Sequence, residues 1–284
     1  MNTLSKYITK YFHSMYYVAI SVLTVVVVVE SIGRGFPVNV VVAVLTASVL
    51  DVAIKRLWLK SAPAIPLSAI ISGLIVGMVS VNAPVLGTLI ATVLAILSKF
   101  IIRWKGSHIF NPAVFGVVIT QVLNPAAHGA AVHGSSQIME GFGPGGLAVS
   151  MWLVPLLLFA SFRARKQWVS IPFLITSALL FYFTGLANLT SLNSQGIFKF
   201  LEVLPYYFAF IIVSEPKTSP WVKKEQIIFG IGVATVSVLP LLLFGFYSHV
   251  IALVALLLGN LIYATYRLKN RDPAENVLLP TIDE

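Results

Sequence analysis

Cysteine is absent from this chain of 284 residues, and charged side chains are scarce. Without Cys the chain forms no disulfide framework, holds no iron–sulfur cluster through its own thiolates and offers no thiol nucleophile. Only 10% of the residues are charged while 58% are hydrophobic, which excludes an ordinary soluble domain of this length. The composition therefore predicts an integral membrane protein that lies in a lipid bilayer.

Acidic residues are the scarcer charge, which leaves a formal net charge of +9. The basic residues sit in short loops beside apolar runs and not on one amphipathic face, so we expect no nucleic-acid partner. The chain also has no phosphate-cradling glycine loop, no Ser/His/Asp set and no paired acids typical of a hydrolase. His128 and His133 share one loop without nearby carboxylates. We accordingly predict no catalytic residue and no metal site.

Ten apolar runs are long enough to cross a hydrocarbon core of about 30 Å. They divide the chain into an N-terminal segment (1–13), a first set of five runs (14–127), a loop (128–144), a second set of five (145–266) and a tail (267–284). The runs are Ser14–Ile32, Pro37–Ile54, Ala62–Val81, Pro84–Ile102, Ile109–Ala127, Gly145–Phe162, Trp168–Leu186, Gly196–Ser214, Ile227–Phe244 and His249–Tyr266.

The positive charges give these runs an orientation. Every Lys and Arg except Arg34 and Lys199 falls on one side of the membrane when the runs alternate. Because Lys and Arg mark the cytoplasmic side, we predict a multi-pass protein of the cell (inner or plasma) membrane with both termini in the cytoplasm. Five is an odd number, so the second set enters the membrane inverted. The fold class predicted is therefore all-α, with ten transmembrane helices in two inverted five-helix repeats.

Two runs in matching positions of the two sets are interrupted by small or polar residues. The third contains Ser72 and Gly73, and the eighth contains Pro205 and ends in Ser214-Glu215-Pro216. Interrupted helices in corresponding positions indicate a ligand site near the membrane midplane. The alternative is that the glycine only permits close helix packing and that the proline is a tolerated kink.

The fifth run opens with Phe110-Asn111-Pro112 and continues to Phe115. Proline fits the first turn of a helix, and Asn111 before it is a suitable N-cap. The N-terminus of such a helix can face an anionic or carbonyl group of a ligand, although the segment is equally compatible with a simple helix start. Ionisable residues inside the runs, such as Asp51, are few and lie near predicted helix ends, which does not favour a proton relay.

Three segments resemble one family of membrane proteins. Ser214-Glu215-Pro216-Lys217-Thr218-Ser219-Pro220 is similar to the motif after the eighth helix in the flavin-carrying membrane subunits of the sodium-pumping NADH:quinone oxidoreductase (Nqr) and of the Rnf complex. His108–Gly116 resembles the Asn-Pro-Ala helix start of that family, and Ser68–Leu74 its third helix. With matching order and spacing, the resemblance covers roughly residues 40 to 270.

The resemblance implies a ten-helix fold similar to that of urea transporters. It also implies a flavin (FMN or riboflavin) and electron transfer within a complex of several membrane subunits, coupled in the family to ion translocation. Glu215 and Thr218 would then offer polar groups to the flavin ring, unless the motif only caps the ninth helix. The implied cofactor-binding residues are Ser72, Gly73, Phe110, Asn111, Pro112, Phe115, Ser214, Glu215, Pro216 and Thr218.

One departure from the family concerns the attachment of the flavin. The family binds FMN through a phosphoester to the last Thr of a Ser/Thr-Gly-Ala-Thr motif in the outer loop, but this chain has no Thr between Thr120 and Thr176. We therefore expect a flavin held without a covalent bond. Two alternatives stay open: a transporter or channel for a small solute on the same fold, and a membrane scaffold that docks soluble redox partners.

Overall fold

The computed structural model describes residues 15–60, 65–80, 83–104, 107–123, 147–184, 200–201, 204–244 and 249–270. Most of these residues are helical, and a hairpin of two two-residue strands, β1 and β2, pairs Arg103 with His108. In chain order the elements are α1 (Met15–Arg34), α2 (Val38–Leu57), α3 (Leu67–Val79), α4 (Val85–Ile101), β1 (Arg103–Trp104), β2 (Ser107–His108), α5 (Pro112–Leu123), α6 (Leu147–Arg163), α7 (Gln167–Thr184), a π-helical segment (Phe208–Ile212), α8 (Lys223–Phe244) and α9 (His249–Asn270).

The helices are consistent with the predicted all-α membrane protein. Four stretches are long and apolar enough to cross a bilayer: α2, α7, α8 and residues Val250–Arg267 of α9. Shorter apolar helices accompany them, among them Met15–Val29 and Val85–Ile101. Most large exposed side chains on these helices are apolar, as a lipid-facing surface requires.

Three elements are too short to cross a bilayer alone. At a rise of 1.5 Å per residue, the 13 residues of α3 and the 12 residues of α5 are about 20 and 18 Å long. The predicted eighth run, Gly196–Ser214, is not one continuous helix in its described part, because Leu204 and Pro205 are non-helical and the π-helical segment follows them. Residues 196–199 and 202–203 of that run lie outside the described residues.

The first five helices pack around α3. It contacts α1, α2, α4 and α5, while α2 also contacts α4, and α4 contacts α5. Glycine permits the close contact between α3 and α2, since a methyl group at Gly73 would lie 2.7 Å from the Cα of Val44 in α2. Gly77 faces Val40 of α2 in the same way. For Gly73 this contact fits the alternative given above, in which the glycine permits close helix packing.

The second half of the chain repeats several of these contacts. The π-helical segment contacts α6 and α7, just as α3 contacts α1 and α2 in the first half. Helix α7 packs on α8, as α2 packs on α4. Helix α8 in turn packs on α9, as α4 packs on α5. Between the halves, α1 packs on α6 and α5 packs on α9. Each of these contacts joins elements that hold the same position in their own half.

The core includes the π-helical segment and its surroundings. Phe208 and the preceding Tyr207 are fully buried, and the Tyr207 hydroxyl lies 3.4 Å from the Met78 sulfur of α3. Phe208 packs edge-on against Phe173 of α7, with ring centroids 5.4 Å apart. This packing fixes the short segment between the two halves.

A polar side chain near the start of the second helix closes a turn in each half. In the first half, the Asn39 amide donates to the carbonyl oxygens of Ser80 and Ala83, at 2.7 and 2.8 Å. In the second, the Lys166 ammonium donates to the carbonyl oxygens of Ser219 and Pro220, at 3.0 and 2.7 Å. Both turns lie directly before the fourth helical element of their half, which is α4 or α8.

Candidate functional site

A cleft opens where α1, α3, the start of α5, the end of α6 and the residues after the π-helical segment meet. Its empty volume is about 930 Å³, part of which is open to the surroundings. Apolar side chains form much of its lining, among them Leu23, Ile71, Ile75, Phe210 and Ile211. The polar and charged lining residues are Tyr16, Ser68, Ser72, Asn111, Arg163, Ser214, Glu215 and Lys217.

Asn111 connects two separate parts of the cleft. Its Oδ1 accepts a hydrogen bond from the backbone N–H of Val114 at 3.2 Å, which is the N-cap bond predicted for α5. Its Nδ2 donates to the carbonyl oxygen of Ile212 at 3.2 Å. The residue is only 1% exposed, so this amide ties the start of α5 to the end of the π-helical segment inside the core.

Glu215 occupies the turn that follows. Its Oε2 accepts a hydrogen bond from the Thr218 hydroxyl at 2.9 Å, while its backbone oxygen accepts from the Ser219 hydroxyl at 2.6 Å. The other carboxylate oxygen, Oε1, lies 3.8 Å from Nε2 of the buried His108 in β2. Thr218 therefore orients Glu215 so that one carboxylate oxygen is held and the other lies next to the imidazole.

Lys166 supports this turn from behind. Its side chain is fully buried, and besides its bonds to Ser219 and Pro220 the ammonium lies 3.9 Å from the centroid of the Trp221 ring. The Gln226 amide adds a 3.2 Å hydrogen bond to the carbonyl oxygen of Trp221. Burial of a charged ammonium is tolerated only with such partners, so the turn and Lys166 stabilise each other.

Two hydroxyl groups of the cleft, those of Ser72 and Ser214, donate their protons to backbone carbonyl oxygens of their own segments. The Ser72 hydroxyl donates to the carbonyl oxygen of Ser68 at 3.1 Å, and the Ser214 hydroxyl donates to that of Phe210. Their oxygens retain the capacity to accept a hydrogen bond from a ligand. The cleft thus combines apolar walls with a few hydrogen-bond acceptors and three charged side chains, which suits an amphipathic ligand.

Five of the ten residues implied by the family resemblance line the cleft together: Ser72, Asn111, Ser214, Glu215 and Pro216. The other five are not among its lining residues. Gly73 packs on α2, Pro112 is buried in the first turn of α5, and Thr218 holds Glu215. Phe110 and Phe115 stack on each other with ring centroids 5.6 Å apart, which fixes the approach to α5.

A buried ion cluster near the cleft was not predicted. Asp51 in α2 is fully buried, with Lys55 at 2.9 Å and Lys99 of α4 at 3.1 Å. The sequence placed Asp51 close to a helix end and gave no sign that Lys99 would reach it from another helix. In the described ranges, no group of three or more His, Cys, Asp or Glu side chains could hold a metal ion.

The supporting role of Lys166 was not predicted either, because a cation in a short loop is explained by the orientation of the chain alone. A signal existed, because Lys166 and Asn39 are both polar residues at the start of the second apolar run of their set.

Comparison with known proteins does not assign the chain to a family. No protein-family model matches the sequence, and no curated protein matches it.

Proposed function

We propose that this protein is a membrane subunit of an electron-transport system related to Rnf and Nqr, and that it holds a flavin without a covalent bond in the cleft. The observation that carries the proposal is the meeting of the three resembling segments. Ser72, Asn111 and Glu215 come from chain positions far apart, yet all line one cleft. The Asn111–Ile212 hydrogen bond joins the start of α5 to the segment that leads into Glu215.

The cleft fits a flavin in its chemistry. The planar ring system of a flavin is largely apolar, with hydrogen-bonding atoms along its edge, and the cleft offers apolar walls together with several polar groups. Glu215 Oε1 and the Ser72 and Ser214 oxygens would accept hydrogen bonds from such an edge. A bound flavin would supply the capacity to take up and pass on electrons, while the chain positions it and excludes water.

The repeated helix contacts support the ten-segment inverted repeat that belongs to this proposal. An inverted repeat has a pseudo-two-fold axis in the membrane plane, so elements next to that axis contact their own equivalents in the other half. The α1–α6 and α5–α9 contacts have this property. Asn39 and Lys166 fit the same relation, since each closes the turn before the fourth helical element of its half.

A test begins with the absorption spectrum of protein purified in mild detergent and incubated with riboflavin or FMN. Flavin absorbance that co-elutes with the protein and is released by acid precipitation is the expected result. The Glu215→Gln variant should bind flavin more weakly than Glu225→Gln, which removes a carboxylate outside the cleft lining. Equal binding by both variants, or no flavin bound by the wild type, would contradict the proposal.

One observation favours a second candidate, a path for a small solute. Asn260 lies in α9, a helix that includes a membrane-length apolar stretch, and is 1% exposed. Among the described residues, neither its amide oxygen nor its nitrogen has a hydrogen-bond partner. A polar group of this kind inside a spanning helix marks solute paths in other membrane proteins. Solute flux into liposomes that is lost in Asn260→Leu, without any bound flavin, would favour this function.

A further inference from the structure

A cluster of exposed cations lies where α7 and α8 begin side by side. The Gln226 amide of α8 donates to the carbonyl oxygen of Arg165, just before α7, at 3.2 Å. The Lys223 ammonium of α8 lies 3.7 Å from the centroid of the Trp168 ring of α7. Arg165, Lys223 and Lys224 are all exposed, and none of them lines the cleft. The cluster is therefore a surface feature separate from the cleft.

Acidic side chains do not pair with these three cations. Within the described ranges, Arg165, Lys223 and Lys224 form no ion pair with a carboxylate. Glu225 is the acidic residue in the first turn of α8, beside the two lysines. Positive charges in the first turn of a helix interact unfavourably with the backbone dipoles, so the cluster is stabilised by an added anion.

Arg165 has a backbone conformation that favours glycine. Its φ is +56°, and it follows α6 in a turn that two hydrogen bonds close. The Arg165 N–H donates to the carbonyl oxygen of Phe162 at 3.0 Å, and the Lys166 N–H donates to that of Ser161 at 2.9 Å. Glycine is the usual residue at this position of a helix end, because it adopts a positive φ without steric cost. An arginine in its place, despite the local backbone strain, points to a use for the side chain.

The cluster lies at the ends of two helices of membrane length. Both α7 and α8 are long and apolar enough to cross a bilayer. Trp168, the second residue of α7, is 39% exposed beside Lys223. Exposed Trp together with Lys and Arg is typical of the membrane–water interface, where lipid phosphates lie. The side predicted for these cations is the cytoplasmic one, whose leaflet carries anionic lipids.

From these observations we infer that Arg165, Lys223 and Lys224 bind the phosphate of an anionic phospholipid, whose acyl chains lie along α7 and α8. The guanidinium can donate two parallel hydrogen bonds to phosphate oxygens, and the two ammonium groups add point charges. A lipid fits this place better than a soluble acidic protein does, because exposed side chains further along both helices, such as Ile175 and Ile228, are apolar. The inference does not depend on the proposed function.

The experiment offers the purified protein, in a non-ionic detergent, an equimolar mixture of phosphatidylglycerol and phosphatidylcholine with the same acyl chains. Native mass spectrometry then counts the bound lipids. The wild type should retain phosphatidylglycerol at least about ten-fold more often, because each cation near a headgroup strengthens binding about five-fold. Arg165→Gly/Lys224→Gln should lower this preference about ten-fold. Its melting temperature should equal or exceed that of the wild type, since glycine relieves the strain at residue 165, and this separates lost binding from lost folding.

The matched control is Arg56→Gln/Lys60→Gly at the end of α2. It also removes two exposed cations, one of which, Lys60, has a positive φ of 50°. This variant should keep the full preference for phosphatidylglycerol. An equal loss in both variants, or no preference in the wild type, would overturn the inference. Polyglutamate that binds the wild type but not Arg165→Gly/Lys224→Gln, when the wild type shows no lipid preference, would instead assign the cluster to an acidic protein partner.

Discussion

At the scale of single residues, Asn111 has two tasks with one amide group. Its oxygen caps α5 through Val114 and its nitrogen holds the Ile212 carbonyl of the other half. The cap was predictable, since Asn before Pro at the start of an apolar run is a local signal. The partner was not, because Ile212 lies 101 residues further along the chain and contributes only a backbone atom.

Replacing Asn111 tests the two tasks separately. We expect Asn111→Ala to lower stability by about 1–3 kcal/mol, because it removes the cap and leaves the buried Ile212 carbonyl unpaired. Asn111→Ser retains a capping oxygen but no amide donor, so its stability should fall between those of Ala and Asn. Thermal unfolding in detergent measures both effects. An Ala variant as stable as the wild type would show that water or another group replaces the amide.

At the scale of elements, α7 and α8 pack through a glycine. A side-chain methyl group at Gly230 would collide with the carbonyl oxygen of Val169 and lie 3.2 Å from the backbone nitrogen of Phe173. Backbone atoms of a helix cannot rotate aside, so the two helices would have to separate. Gly232, two residues later in α8, has no neighbouring atom within 4 Å of an added methyl group among the described residues.

The two glycines provide a matched pair of variants. Gly230→Ala should lower the free energy of unfolding by about 1–3 kcal/mol through overpacking. Gly232→Ala should leave it unchanged or raise it by at most about 1 kcal/mol, because alanine is the better helix former. The melting temperatures of both variants, measured by intrinsic fluorescence, show whether packing or helix propensity determines the change in stability. A similar loss in both variants would mean that helix propensity and not packing controls stability in α8.

The ion pair between α2 and α4 is a second feature at this scale. Asp51→Leu should destabilise the protein by about 3–5 kcal/mol, because it leaves the mostly buried Lys99 without its carboxylate. In Asp51→Leu/Lys99→Met most of this loss should be recovered, since Lys55 is partly exposed and can reach water. A double-mutant cycle, with free energies of unfolding measured in denaturant, gives the coupling free energy between Asp51 and Lys99. Additive losses would show that the pair contributes no interaction of its own.

At the scale of the whole molecule, the absence of Cys makes the orientation directly measurable. Single cysteines can be introduced without a background of native thiols. Lys224→Cys, at the exposed start of α8, should react in intact cells only with a membrane-permeant maleimide. Ser135→Cys, in the predicted outer loop that lies outside the described residues, should react with an impermeant reagent as well. The reverse labelling pattern would show that the chain has the opposite orientation to the predicted one.

The sequence predicted much of this architecture, because long apolar runs bounded by charge are local signals. The predicted run His249–Tyr266 and helix α9 begin at the same residue, and Pro37–Ile54 differs from α2 by one residue at the start. The eighth run was less predictable. Its composition is apolar enough for one continuous helix, but in the described part Leu204 and Pro205 interrupt the helix, and a short π-helical segment packed on its surroundings through Phe208 follows them.

The residues of the cleft likewise divide into those that local sequence signals identify and those that only the folded chain brings together. Glu215 and Ser72 stood out in the sequence because they lie in, or directly after, two interrupted apolar runs in matching positions of the two sets. Arg163 and Lys217 did not, since a cation in a short loop is explained by orientation alone. Only the folded chain shows that these two cations line the cleft together with Glu215.

The turn-closing bonds of Asn39 and Lys166 have a consequence for assembly. Each donor and its two carbonyl acceptors belong to the same half of the chain, so neither half borrows this closure from the other. Two polypeptides, 1–135 and 136–284, produced together in one cell should therefore each insert and then associate along the α1–α6 and α5–α9 contacts. Co-purification of the untagged fragment with its tagged counterpart would be the sign of such a two-piece protein.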